Sequence, residues 1–283
     1  MMSGWKSLSM PVMRALGIML LSLPQSHRSE AAEPLGQRWP ANEQISMTQI
    51  DHGDFDRLLK KYVDPKGLVN YQAWKASQAD RRALQNYLKL LSQANPQLMA
   101  TKQAQLAFWI NAYNALTLEG ILQVYPTSSI RKHTAKVFGY NIWNDLPLLA
   151  GGKNYSLNQI EHDILRKMNE PRIHFAIVCA SIGCPKLRNE AYTAEKVDAQ
   201  LTANAIDFFQ QQKHFQVNRT NQTVYLSSIL DWFATDFGST QSEQLRTLSP
   251  FVPESSRTFL TSPNVTVKYL EYNWGLNSQQ PSY

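Results

Sequence analysis

The chain has 283 residues, is 43% apolar and 18% charged, and carries a net charge of +6. These proportions exclude a disordered chain and leave length for one large domain or two small ones. The positive charge is not gathered into a Lys/Arg stripe, which argues against a nucleic-acid-binding surface.

Lys6 and Arg14 give a basic start, and 15–23 is a short apolar run closed by Pro24. Ser29-Glu30-Ala31 supplies small residues at the cleavage positions. Residues 1–31 are therefore expected to be a secretory signal peptide, because the run is too short to span a bilayer. An uncleaved anchor is the alternative. Removing this segment takes away Lys6, Arg14, Arg28 and Glu30 and lowers the net charge from +6 to +4. The expectation is an exported protein, periplasmic if the source is Gram-negative, with no integral membrane span after cleavage.

Residues 32–45 read as a flexible leader, 46–277 as one domain and 278–283 as a tail. Phe55, Leu58, Leu59 and Tyr62 fall at helical spacing, and Asp64-Pro65-Lys66-Gly67 stops that run. Residues 68–71 read as a short strand. Leu84, Tyr87, Leu88 and Leu91 then mark a second amphipathic helix. Over 102–125 apolar residues surround the helix almost completely, so it is expected at the centre of the domain. Thr101 is its cap. Asn111 and Asn114 lie one turn apart in it and, if buried, must be hydrogen-bonded.

Gly151-Gly152, between 146–150 and 153–155, reads as a hairpin turn. Ser156 followed three residues later by Gln159 is a capping box that opens a helix carrying Glu161, His162 and Arg166. The run from Ile173 to Cys179 reads as a buried strand, delivering Cys179 to a turn with Gly183, Cys184 and Pro185. A helix follows over 194–212, then a hairpin about 218–223, a short aromatic helix over 228–237, a helical stretch broken at Pro250-Phe251-Val252-Pro253, and a closing strand at 265–269. The fold class expected is α+β: a single domain with a central buried helix packed on the 173–179 strand and a small, mostly antiparallel sheet.

Four stretches are similar to the domain-of-unknown-function 547 family. They are Phe108-Trp109-Ile110-Asn111-Ala112-Tyr113-Asn114-Ala115-Leu116, then residues 156–166, the cysteine stretch 172–188, and the closing Tyr269-Leu270-Glu271-Tyr272-Asn273-Trp274-Gly275-Leu276-Asn277. They occur in the family's order and cover about 55–277. The resemblance implies an exported bacterial member of a family also found in plants, and it brings no established reaction. Plant members look similar at the position of Cys179 but often carry Ser at that of Cys184. That pattern favours Cys179 as the residue with a chemical role.

Two readings of the site stand side by side. In the first, Cys179 is a nucleophile, His162 its base, and Asn111 or Asn114 orients the imidazole, as in papain-like and transglutaminase-like thiol chemistry. Glu161, Arg166 or Arg188 would hold a substrate, Arg166 or Arg188 by gripping a carboxylate. Glu161 is not expected to share a helix face with His162, its immediate neighbour. His174 is a poor direct base, being on the same strand as Cys179 and facing the other way. The reaction would be acyl transfer or amide hydrolysis on a peptide or small thiol peptide, in a fold similar to cysteine peptidases by analogy. In the second reading Cys179 and Cys184 form a structural disulfide, as an oxidising compartment favours, and the domain is a non-enzymatic module that binds a peptide or a periplasmic protein. No cofactor and no metal is expected, since the spacing lacks the usual Cys-x2-Cys ligand pair.

Overall fold

The long helix α4, Lys102–Val124, carries the architecture. Thr101 caps it, its hydroxyl accepting from the Ala104 amide at 3.1 Å. From Ala104 to Leu122 nearly every side chain is buried, as a helix apolar on all sides requires. The structure, a computed structural model, describes residues 34–134 and 140–280. These belong to one compact unit of residues 31–283, so the signal peptide expected at 1–31 lies outside the described residues. No described helix is long and apolar enough to cross a membrane.

Before α4 come α1 (Gly53–Tyr62), α2 (Tyr71–Ala76) and α3 (Gln78–Leu91). The stretch read as a strand over 68–71 contributes only isolated bridges at Val69, because Tyr71 already opens α2 beneath an Asn70 cap. The segment read as a leader pairs through Leu35 with Leu148, and the Trp39 indole donates to the Ser92 hydroxyl at 3.0 Å. After the short α5 (Ile142–Asp145) come β1 (Leu148–Ala150) and β2 (Lys153–Tyr155), an antiparallel hairpin turning on Gly151 and Gly152, both with positive φ. The capping box at Ser156 and Gln159 forms in both directions, at 2.9 and 3.2 Å. The run after it winds as a π-helical turn, Gln159–Leu165, rather than a regular α-helix.

The C-terminal part holds α6 (Val197–Gln210), β3 (Phe215–Asn218), β4 (Thr223–Ser227), α7 (Ile229–Trp232), α8 (Ala234–Phe237), α9 (Gln241–Leu248), α10 (Glu254–Leu260) and β5 (Thr266–Leu270). β3 and β4 are an antiparallel hairpin, while β5 returns parallel to β4 after the four short helices. The domain is α+β with a helical core, as expected.

A further expectation fails at the cysteine segment. The run from 173 to 179 is not a strand. Pro171–Phe175 is a 3-10 turn, and an irregular stretch follows. Pro171 favours a helical turn start. The main-chain groups of Ala176 and Val178 that a strand neighbour would take are taken by Asn114: its amide donates to Ala176 O at 3.0 Å, and its Oδ1 accepts from Val178 N at 2.9 Å. The principal neighbours of α4 are therefore other helical segments: α3, the π-helical turn, the 3-10 turn Met47–Gln49, α6 and α2.

Two apolar clusters result. The first surrounds α4. The second joins Phe175, Phe208 and Phe209 to Val224, Leu226, Leu245, Leu248 and Leu260 of the sheet and its helices.

Candidate functional site

The cysteine segment runs along the seam between these clusters. Phe175 belongs to the second and Ala176, Val178, Ala180 and Cys184 to the first. Asn114 fixes its approach through the two bonds given above. Asn111, one turn earlier in α4, holds the chain beyond the cysteines, donating to Tyr192 O at 2.8 Å and accepting from Tyr192 N at 2.9 Å. Both buried amides are thus taken up by main chain. Neither makes the contact to His162 that the sequence reading gave them.

Beyond Val178 the chain turns sharply. Ala180 sits in the left-handed region at φ +58, which costs a non-glycine residue roughly 1–2 kcal/mol. Cys179 and Cys184 are disulfide-bonded, their Cα atoms 6.3 Å apart. Gly183 faces the Tyr272 ring so closely that a Cβ there would lie 2.9 Å from it. This approach seats the Tyr272 hydroxyl 3.0 Å from the Cys179 sulfur and 3.1 Å from that of Cys184. Tyr272 packs against Trp274 and Trp232, with ring centroids 4.5 and 4.9 Å away.

The opposite wall comes from the π-helical turn. Glu161 and His162, although neighbours in sequence, both line the cavity. The sequence reading assigned them to different faces on α-helical angles. A π turn rotates less per residue, which brings neighbours nearer to one face. The Glu161 carboxylate accepts from the Tyr113 hydroxyl at 3.2 Å. Burial pushes its pKa up to about 7, outweighing the Tyr113 hydrogen bond and the Arg166 charge.

Behind this wall runs a chain of polar contacts. Arg166 holds Asp236 with two bonds, Nε to Oδ2 at 2.6 Å and Nη2 to Oδ1 at 2.7 Å. Its Nη1 lies 3.2 Å from His162 Nδ1. Because a guanidinium only donates, that nitrogen is the acceptor and the His162 proton sits on Nε2. Burial, then the Arg166 charge, lowers the His162 pKa, so the ring is neutral. His174 Nε2 meets Asp236 Oδ2 at 2.8 Å, and the ring stacks on Phe233 at 4.1 Å. Burial lowers the His174 pKa to about 4 despite Asp236. Burial alone would raise Asp236, but the hydrogen bonds from Arg166 and His174 hold it below the usual range.

Together these walls enclose a cavity of about 210 Å³. Trp143, Trp232, Phe233, Tyr272 and Trp274 make it aromatic; Asn158, Glu161, His162 and His174 are among its polar members, and both cysteines line it. A larger recess of about 380 Å³, between residues 47–60 and 190–196, is bordered mainly by small and charged side chains and includes no aromatic ring other than His52. The smaller one is the candidate site, since apolar walls with a few converging polar groups are what small ligands need.

Of the residues singled out in the sequence, Cys179, His162 and Glu161 meet here. Arg166 stands behind His162 as the ion-pair partner of Asp236. Arg188 is spent elsewhere, on Glu190 and on Asn204 at 2.9 Å. The pairing of a Cys179 thiolate with a His162 imidazolium is not made: the sulfur is bonded to Cys184, and the imidazole is neutral against Arg166. Tyr113, Asp236 and Phe233 were not anticipated. Tyr113 lay in the 108–116 motif beside Asn114, and Tyr272 lay in the closing motif, so their positions were marked although their roles were not.

Fold and cavity define an α+β domain with a disulfide-lined aromatic pocket. Residues 96–209 match the family described as "Protein of unknown function, DUF547". No curated protein and no solved structure matches the chain. The matched stretch carries α4, the π-helical turn and the cysteines; the wall of Trp232, Phe233, Tyr272 and Trp274 comes from beyond it.

Proposed function

We propose that this domain is a binding module whose cavity takes an ammonium group, from a peptide or a small amine, together with the apolar stem that carries it. The observation that carries the reading is the Glu161 carboxyl. It faces an aromatic cavity, and among the described residues no cation lies within ion-pair distance of it. A carboxyl raised to about 7 by burial gains most from a partner that brings its own charge. Indole and phenol faces add roughly 0.5–2 kcal/mol for a cation over each ring. Thiol-dependent acyl transfer, the other reading of the sequence, needs a free Cys179 thiolate, and the disulfide leaves none. A disulfide also supports a workplace in an oxidising compartment, which agrees with the proposed export.

The proton count gives the test. An ammonium pairs with the ionised carboxyl, so binding releases a proton when the pH is below about 7. Benzylamine, followed by tryptophan fluorescence, should bind about tenfold more weakly near pH 6 than near pH 8. Glu161→Gln should weaken it about tenfold or more and flatten that pH dependence. Benzyl alcohol, uncharged and of similar shape, should show neither effect. If the alcohol binds as well as the amine, or Glu161→Gln changes nothing, the cavity does not select for charge and the reading fails.

A further inference from the structure

The two sulfurs of the Cys179–Cys184 bridge are not equivalent. Cys184 is 2% exposed, whereas Cys179 is partly exposed at the cavity. The Cys184 sulfur accepts the Cys179 amide N–H at 3.0 Å and lies 3.1 Å from the Tyr272 hydroxyl. The Cys179 sulfur shares that hydroxyl at 3.0 Å and, among the described residues, has the Ser181 hydroxyl as its other polar neighbour, at 3.7 Å. Both cysteines line the cavity, but Cys179 is the more exposed, and the directed main-chain donor is at Cys184.

Thiol–disulfide exchange needs that asymmetry. An incoming thiolate attacks one sulfur and the other leaves as a thiolate, faster the better its charge is stabilised. The bridge also does little to hold its own loop. The loop it closes is short, so it removes little chain entropy from the unfolded state. The loop is fixed independently by Ile182 N to Gly275 O at 2.7 Å, Gly183 N to Asn273 O at 2.8 Å and Lys213 Nζ to Ile182 O at 2.7 Å. Opening the S–S bond leaves these three bonds in place.

We propose that Cys179–Cys184 is an exchange-competent disulfide, reduced by small thiols that enter the aromatic cavity and attack Cys179, with Cys184 as the leaving sulfur. In the first step the thiolate forms a bond to the Cys179 sulfur. The S–S bond breaks, and its electron pair goes to Cys184, where the Cys179 amide and the Tyr272 hydroxyl receive the charge. Glu161, across the cavity, takes the proton of the incoming thiol. In the second step another molecule of the same thiol attacks the mixed disulfide at its non-protein sulfur. A small-molecule disulfide leaves, and Cys179 and Cys184 remain as the reduced pair with two protons taken up. Two thiols thus supply the two electrons, and a small-molecule disulfide reverses the sequence. The proposal uses the cavity only as the route to the sulfur and does not depend on the binding of an ammonium group.

The test compares the two cysteines in the folded full chain. Cys184→Ser leaves Cys179 free, and Cys179→Ser leaves Cys184 free. Each variant is exposed to 2-hydroxyethyl disulfide, and mixed-disulfide formation is followed by mass spectrometry, with near-UV circular dichroism reporting the fold. Cys179 should react at least about tenfold faster than Cys184, because access governs the rate. The wild-type bridge should be reduced by 2-mercaptoethanol without denaturant, and Tyr272→Phe should slow that reduction about tenfold. Glu161→Gln should shift the pH profile of the reduction towards that of the free thiol. Equal reactivity at both cysteines, or a wild-type bridge that opens only in denaturant, overturns the proposal. Should Tyr272→Phe fail to fold, the comparison of the two cysteines decides alone. Exchange at Cys179 without benzylamine binding, or the reverse, tells the failure of one reading from the failure of the other.

Discussion

The two apolar clusters are built on different terms. The first is wound around one helix whose own sequence is apolar on every side, and most of its members come from α1 to α4 and the segments that follow. The second is assembled from short helices and a mixed sheet, and its strands β4 and β5 meet only after four intervening helices. The cavity lies where the clusters join, and Tyr272 packs against both. A continuous helix makes a dry core, whereas a seam between separately built cores leaves room for a ligand. Polar groups can stay there because they meet one another from different elements, as Arg166 and Asp236 do.

The sharpest way to break this comparison is to empty each side of one tryptophan. Trp109, 2% exposed, sits in the first cluster with its ring edge-on to Phe108 and Tyr155. Trp109→Ala should cost about 3–5 kcal/mol, from lost burial and from the cavity left behind. Trp232, 48% exposed, stands at the cavity rim. Trp232→Ala should cost under about 1 kcal/mol while weakening benzylamine. Denaturant melts of both variants check this. Similar losses in the two would mean that the seam is packed like the core.

The next effect tests the link between α4 and the cysteine segment. Asn114→Ala leaves Ala176 O and Val178 N buried without partners. Each orphaned group costs roughly 1–3 kcal/mol, so the loss should be about 2–4 kcal/mol. The same variant should also loosen the approach to Cys179, read as faster amide exchange at Val178. Full stability with unchanged exchange would show that the segment is held by its own turns and not by α4.

These residues also show what the sequence made legible. The apolar surround of 102–125 announced α4, its Thr101 cap and its central place, because helical burial is written in a local period. The two hairpins and the Ser156 capping box were legible for the same reason: each needs only neighbours. The 173–179 stretch misled because its apolar, β-branched composition suits a strand and a buried irregular segment equally. What decides between them is Asn114, sixty-four positions from Val178. The site failed to read out on the same ground. Asp236 finds Arg166 across seventy residues, and Tyr272 finds the sulfurs across about ninety, with no local pattern to mark either pairing. The closeness of Glu161 and His162 was hidden by a winding that a capping box does not distinguish from an α-helix.

The smallest effect concerns Ala180, where opposing terms nearly cancel. Its left-handed backbone at φ +58 costs roughly 1–2 kcal/mol that glycine would not pay. Glycine, however, adds about 0.5–1 kcal/mol of unfolded-state entropy. The Ala180 methyl is 2% exposed, at the edge of the first cluster, and its burial contributes about 0.8 kcal/mol. Ala180→Gly should therefore leave stability within about 0.5 kcal/mol of the parent chain, the sum of those three terms. A loss of more than about 1 kcal/mol would mean that the methyl is packed as tightly as Trp109, moving the edge of the dry core past the turn. A comparable gain would mean that the turn is held against its preference by its surroundings, with the strain located one residue from the sulfur that lines the cavity.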